Sequence, residues 1–246
     1  GSLRLNTTGD CNTSIGRYAL ANNTTACNNT AVGYLSLCAN TTGFDNSALG
    51  YTSLRANTTG CYNTAVGRQS LRNNTTANNN TAVGYFSLEA NTTGAQNVAL
   101  GGSALLANTT GAENSAVGTQ ALTTNSTGCR NTGMGRNALY SNTTACNNTA
   151  LGYDSLFSNS TGAENTSLGA TSLDANTIGC RNTAVGYNSL GANTDGNFNT
   201  AVGRSALATN TTGDKNVAVG YSSLQCATTA SDNTSMGYES LFLNTE

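Results

Sequence analysis

The sequence predicts an all-β fold, a parallel β-solenoid (β-roll or β-helix) of about 14.5 coils with a strict 17-residue repeat. Three observations predict it. The glycine that closes each N-T-A-V-G-like segment recurs from Gly16 through Gly118 to Gly237, always 17 residues apart, with no insertion or deletion. Around that glycine, whole columns hold a single chemistry. Finally, the Asn, Thr and Gly that fill the repeat are poor helix formers, and 17 residues fall short of the roughly 33 that a helix-pair repeat needs.

The columns read in order along one coil. Asn stands four positions before each glycine, from Asn12 through Asn131 to Asn233. The position two before the glycine is always Ala, Ser or Gly, and the one just before it is Ile, Val, Leu or Met, as at Ile15, Val32 and Met134. This T-A-V-G segment alternates and ends in a breaker, which suits a short strand followed by a turn. Three residues after the glycine comes Ala or Ser, and then Leu, from Leu20 through Leu122 to Leu241. A second Asn column lies ten residues before the glycine and is broken only by Ala227. The N-T-T-G around it reads as a second corner, so two or three very short parallel strands are expected per coil.

Strict columns have a physical cause. In a solenoid residue i lies on residue i+17, and stacked strands are about 4.8 Å apart. A Leu column then becomes a ladder in which each side chain covers the next. An Asn column becomes an amide ladder that satisfies polar groups at a turn. The two bulky apolar columns, Leu and the Val/Leu/Ile/Met position, are expected to form the core. One buried aliphatic side chain is worth roughly 1.5–3 kcal/mol, whereas ordering a backbone costs about 1–2 kcal/mol per residue. A single coil cannot stand alone, and stability must come from stacking. The expectation is one continuous domain over 1–246, a rod of roughly 70 Å. The variable columns, holding for example Leu35, Gln69 and Asp154 or Phe44, Glu113 and Lys215, are expected to face outward.

Composition narrows the function. His, Trp and Pro are absent, charged residues make up 9%, and the net charge is −2. No basic patch offers itself to phosphates, so nucleic acid is not an expected partner. No apolar run approaches the roughly 18 residues of a membrane span. The chain opens as Gly1-Ser2-Leu3, already inside the pattern, and reads either as an excerpt of a longer protein or as a sequence whose first residues happen to match the pattern.

The pattern N-T-A-V-G-x-x-S-L-x-A, as in Asn29 to Ala39, resembles the head repeats of trimeric autotransporter adhesins, which carry an N-S-x-A-I-G-x-x-S-x-A motif on a trimeric parallel β-roll. It is also similar to repeats of phage tail fibres and related surface proteins. The resemblance spans the whole chain and implies a β-roll, self-association and a surface location. The present coil is 17 residues, with an added N-T-T-G corner.

Four features invite a chemical reading. Five of eight cysteines, Cys27, Cys61, Cys129, Cys146 and Cys180, share one column, and Cys129 and Cys146 are one coil apart, within disulfide reach. Cys11 and Cys27, on adjacent coils but one column apart, are a second pair. The alternative is that small residues are simply tolerated there. Sequons recur at the corner, at Asn6, Asn23, Asn40, Asn57, Asn74, Asn91, Asn108, Asn125, Asn142, Asn159 and Asn210. They would carry N-glycans in a glycosylating host, or else the Asn serves the ladder and the sequon is incidental. Tyr and Arg recur just after the glycine, at Tyr34, Tyr51, Arg68, Tyr85, Arg136, Tyr153, Tyr187, Arg204, Tyr221 and Tyr238, as an interaction stripe for carbohydrate or for another subunit. Lastly, the adjacent Thr pair bears on ice binding, but two neighbouring residues of a strand point to opposite faces.

No catalytic constellation, cofactor motif or metal-ligand spacing emerges. The expected protein is a non-enzymatic structural rod: the shaft or head of an extracellular, cell-surface or virion fibre. It is expected to associate with copies of itself, as a trimer or an end-to-end filament. The competing class is a flat-faced binding module for glycan, a host surface or ice.

Overall fold

A computed structural model describes residues 1–245. The described residues are all-β, a parallel solenoid with the 17-residue repeat, and form two compact units, Gly1–Thr127 and Gly128–Glu246. In the first unit the strands are β1 (Thr13–Ile15), β2 (Thr30–Val32), β3 (Ser47–Leu49), β4 (Thr64–Val66), β5 (Thr81–Val83), β6 (Val98–Leu100) and β7 (Ser115–Val117). In the second they are β8 (Thr132–Met134), β9 (Thr149–Leu151), β10 (Thr166–Leu168), β11 (Thr183–Val185), β12 (Thr200–Val202), β13 (Val217–Val219) and β14 (Thr234–Met236). Within each unit every strand pairs in parallel with the next coil's strand at the repeat register, as Thr64↔Thr81, Ala65↔Ala82 and Val66↔Val83.

Each coil thus has one three-residue strand, not the two or three expected. The reason lies in the backbone. In the fifth coil Gly84 has φ +133, and Asn79, Phe86 and Leu88 are left-handed at φ 59, 57 and 51. An extended strand cannot run through such residues. Inter-coil bonding continues nonetheless: the N–H groups of Leu88, Ala90 and Thr92 donate to the carbonyls of Ala104, Leu106 and Thr109 at 3.0, 3.1 and 2.9 Å. A left-handed non-glycine residue costs about 1–2 kcal/mol. Full burial of the Leu at one such position returns roughly 1.5–3 kcal/mol, and twelve of these leucines, Leu20 to Leu207, are among the largest fully buried side chains.

The second correction concerns the core. The strand Thr-Ala-Val alternates, so one set of side chains must point out. Ala82 is fully buried while Val83 is 38% exposed, and Leu49, Met134 and Leu151 are exposed as well. The aliphatic column is therefore an outward rank, with the Thr column beside it, and is not part of the core. The lumen decides the phase. The small column of the strand faces the Ala/Ser column across it closely enough that Ser70 Oγ donates to Ala82 O at 2.9 Å, and Ser155 Oγ lies 2.8 Å from Ser167 Oγ. A Val turned inward would collide with this opposite wall. The core is Leu, Ala and Ser flanked by two buried Asn columns.

Candidate functional site

The chemistry of this chain is distributed in ladders. In the first Asn column, Asn57 Nδ2 donates to Asn40 Oδ1 at 2.9 Å and to Gly60 O at 2.9 Å, and the same pair of bonds recurs from Asn23 to Asn108. In the second, the Asn63 amide N–H donates to Asn46 Oδ1 at 3.0 Å and its Nδ2 to Ala77 O at 2.9 Å. Both columns tie one coil to the next and close the corner within or above it. This agrees with the amide ladders expected from the sequence.

The first column carries the sequons. Ten of the eleven, Asn23, Asn40, Asn57, Asn74, Asn91, Asn108, Asn125, Asn142, Asn159 and Asn210, are 0% exposed, and only Asn6 is partly exposed. N-glycosylation attaches the sugar to Nδ2, the atom that donates the ladder bonds. The folded coil therefore has no room for glycans at these ten positions, and the Asn is explained by the ladder. The sequence left both readings open, because N-T-T satisfies the sequon pattern and the ladder alike, and the burial agrees with the ladder.

The cysteine column shows what its residues do. Backbone N–H groups of one coil donate to the side chain of the next: Phe44 to Cys61 Sγ at 3.5 Å, Ala163 to Cys180 Sγ at 3.3 Å, Cys180 to Asn197 Oδ1 at 2.8 Å, and Asp214 to Ser231 Oγ at 3.0 Å. The same side chain donates to the carbonyl two residues back, as Cys61 Sγ does to Thr59 O at 3.3 Å and Asn197 Nδ2 to Asp195 O at 2.8 Å. Cys, Asn and Ser interchange here because each can accept and donate from the γ or δ position. Cys129 and Cys146 are brought together, with Sγ 3.0 Å from Sγ. The second pair is not drawn into such a contact: Cys27 Sγ accepts from the Asp10 amide at 3.3 Å and donates to Thr25 O at 3.6 Å.

The Tyr/Arg stripe is exposed and packs on itself. Tyr34 and Tyr51 stack at 5.5 Å between ring centroids, and Tyr221 and Tyr238 at 5.1 Å. Arg136 lies 5.9 Å from the Tyr153 ring centre, and Arg204 sits 5.7 and 5.6 Å from those of Tyr187 and Tyr221. Arg68 lies 5.4 Å from the Phe86 ring centre, and Tyr85 covers Gly102 of the next coil. Sugar recognition by aromatics uses open ring faces, and each stacked ring turns one of its two faces to a neighbouring coil. The corner threonines both point outward, because the corner is a turn and not a strand. One hydroxyl is used within the chain: Thr58 Oγ1 donates to Thr75 O at 3.1 Å.

Among the described residues there is no cluster of three metal-ligating side chains, no cavity, and no helix long and apolar enough to cross a membrane. No family model, no curated protein and no solved structure matches this chain.

Proposed function

We propose that this chain is a non-enzymatic structural element of an extracellular, cell-surface or virion fibre, and that it associates laterally with copies of itself through the outward Thr and Val ranks. One observation carries the reading. The position before each glycine is Ile, Val, Leu or Met in every coil, yet none of these side chains is buried. Stacking on the like residue of the next coil leaves these side chains half-buried at best. A repeated apolar rank on a surface is accounted for by a second surface that covers it.

Sedimentation of the full chain tests this. The expected result is a discrete oligomer that dissociates when Val66, Val83 and Leu100 are together changed to Asp, with the β signal in circular dichroism retained. A wild-type chain that stays monomeric at its highest soluble concentration sinks the fibre reading.

A second reading, a flat binding face for ice, is favoured by the Thr rank that runs beside the aliphatic rank at the strand spacing of about 4.8 Å. Thermal hysteresis measured on the monomeric chain would support it. A glycan-binding face has less support, because four of the stripe's rings stack in pairs and others lie beside its arginines.

A further inference from the structure

We propose that Cys129 and Cys146 are an oxidation site, at which a low-molecular-weight disulfide oxidant closes a bridge that fastens one coil of the second unit to the next. The two sulfurs lie 3.0 Å apart. Each thiol stands three residues ahead of a strand, and those strands pair directly as Thr132↔Thr149. Register thus holds the two Cα atoms about one strand spacing apart, near 4.8 Å, inside the range a disulfide spans.

The column explains why the bridge is compatible with the fold. Cys146 Sγ accepts the Cys129 amide N–H at 3.1 Å. A disulfide sulfur keeps its lone pairs, so this bond survives oxidation. What is lost at Cys146 is the S–H donated to Thr144 O at 3.7 Å, and Thr144 is exposed, so water replaces it.

No other cysteine of the column has this arrangement. Cys27 lies between Asp10 and Phe44, Cys61 between Phe44 and Asn78, and Cys180 between Ala163 and Asn197. Cys27 and Cys61, like Cys146 and Cys180, are two coils apart, about 10 Å, beyond disulfide reach.

The chemistry balances as thiol–disulfide exchange. One cysteine thiolate attacks the external disulfide, forms a mixed disulfide and expels one small thiolate. The second cysteine sulfur then attacks the protein-side sulfur of the mixed disulfide and expels the other. The protein loses two protons and two electrons, and the oxidant leaves as two thiols.

The experiment is to incubate the folded, reduced full chain with oxidised glutathione, alkylate the remaining thiols and map the peptides. Trypsin cuts at Arg130 and Arg136, between the two cysteines, so the bridge appears as a joined pair of peptides. The expected product carries six alkylated thiols of the eight and one Cys129–Cys146 link. Cys146→Ser keeps the amide acceptor, as Ser231 does for Asp214, so it should fold and take no bridge. Eight alkylated thiols on folded protein, a bridge mapped to any other pair, or a disulfide-linked dimer overturns the assignment.

Discussion

Asn210 and Ala227 occupy the same column of adjacent coils, and the buried Oδ1 of Asn210 has no hydrogen-bond partner among the described residues. Elsewhere in the column that oxygen accepts from the next coil's Nδ2, as Asn193 Oδ1 does from Asn210 at 2.8 Å. Ala227 has no amide to give.

Restoring the ladder should therefore stabilise the fold. Leaving a buried acceptor unpaired costs about 1–3 kcal/mol. Ala227→Asn is expected to return a similar amount, since the Asn-Thr-Thr-Ala corner already occurs at Asn23, whose Nδ2 bonds Ala26 O at 3.0 Å. Conversely, Asn91→Ala strips the partner from Asn74 Oδ1 and should cost a comparable amount. Denaturant unfolding of both variants measures the two shifts, and a destabilising Ala227→Asn would contradict the ladder account.

The two glycine columns should respond differently to Ala. At Gly84, φ is +133 and a Cβ would lie 2.5 Å from Gly101 O. Gly84→Ala is expected to cost at least about 1–3 kcal/mol from backbone strain alone. Gly94 also lies close to the next coil's backbone, but its φ is not left-handed, and Ala26, Ala77, Ala145 and Ala230 already occupy its column. A Cβ at Gly94 would lie well inside contact distance of Gly111 O, yet alanine stands in this column in those four coils, so the coil accommodates a Cβ there. Gly94→Ala should fall within about 0.5 kcal/mol of the parent. Melting curves that rank the two variants the other way would overturn this.

Burial should separate the two aliphatic columns. Leu88 is fully buried, so Leu88→Ala is expected to cost about 2–5 kcal/mol. Val83, in the same coil, is exposed, and Val83→Thr should change stability by no more than about 0.5 kcal/mol. The comparison belongs on the dissociated chain. Equal losses at the two positions would return Val83 to the core.

Burial raises the Asp174 carboxyl above the usual carboxylate range, and the nearby Asp154 adds to the rise against two opposing backbone hydrogen bonds. The folded state then holds its proton more tightly than the unfolded state. Stability falls as pH rises from the unfolded value of 3.8 through the raised folded value. Asp174→Asn should accordingly be more stable than the parent at neutral pH, with the difference vanishing below that window. Thermal melts across the acid range read this directly, and a parent more stable than the variant at neutral pH reverses the sign.

Much of this molecule was legible in its columns. The Leu ladder and both Asn ladders lie where the spacing put them, because in-register parallel stacking places like on like and rewards one chemistry per column. Inward or outward orientation was harder to read. Ala82 and Val83 alternate, and a period of two has two phases, so the bulkier residue looked like the core. A signal was present in the strictly small column two before the glycine: a position held to Ala, Ser or Gly marks a tight interior as firmly as a Leu column marks an apolar one. The sequons were ambiguous for a related reason, since a buried Asn–Thr corner and a glycan acceptor share the same letters.

The sequence by itself determined the period, the parallel register and the coil-to-coil neighbours, Cys129 beside Cys146 included, because these follow from which residues recur every 17 positions. Only the tertiary structure decided that Val83 faces out, that one strand rather than two or three forms per coil, and that Asn57 is sealed inside. Those outcomes depend on the width of the lumen and on left-handed turns at Phe86 and Leu88, which are set by contacts across the coil that no linear spacing records.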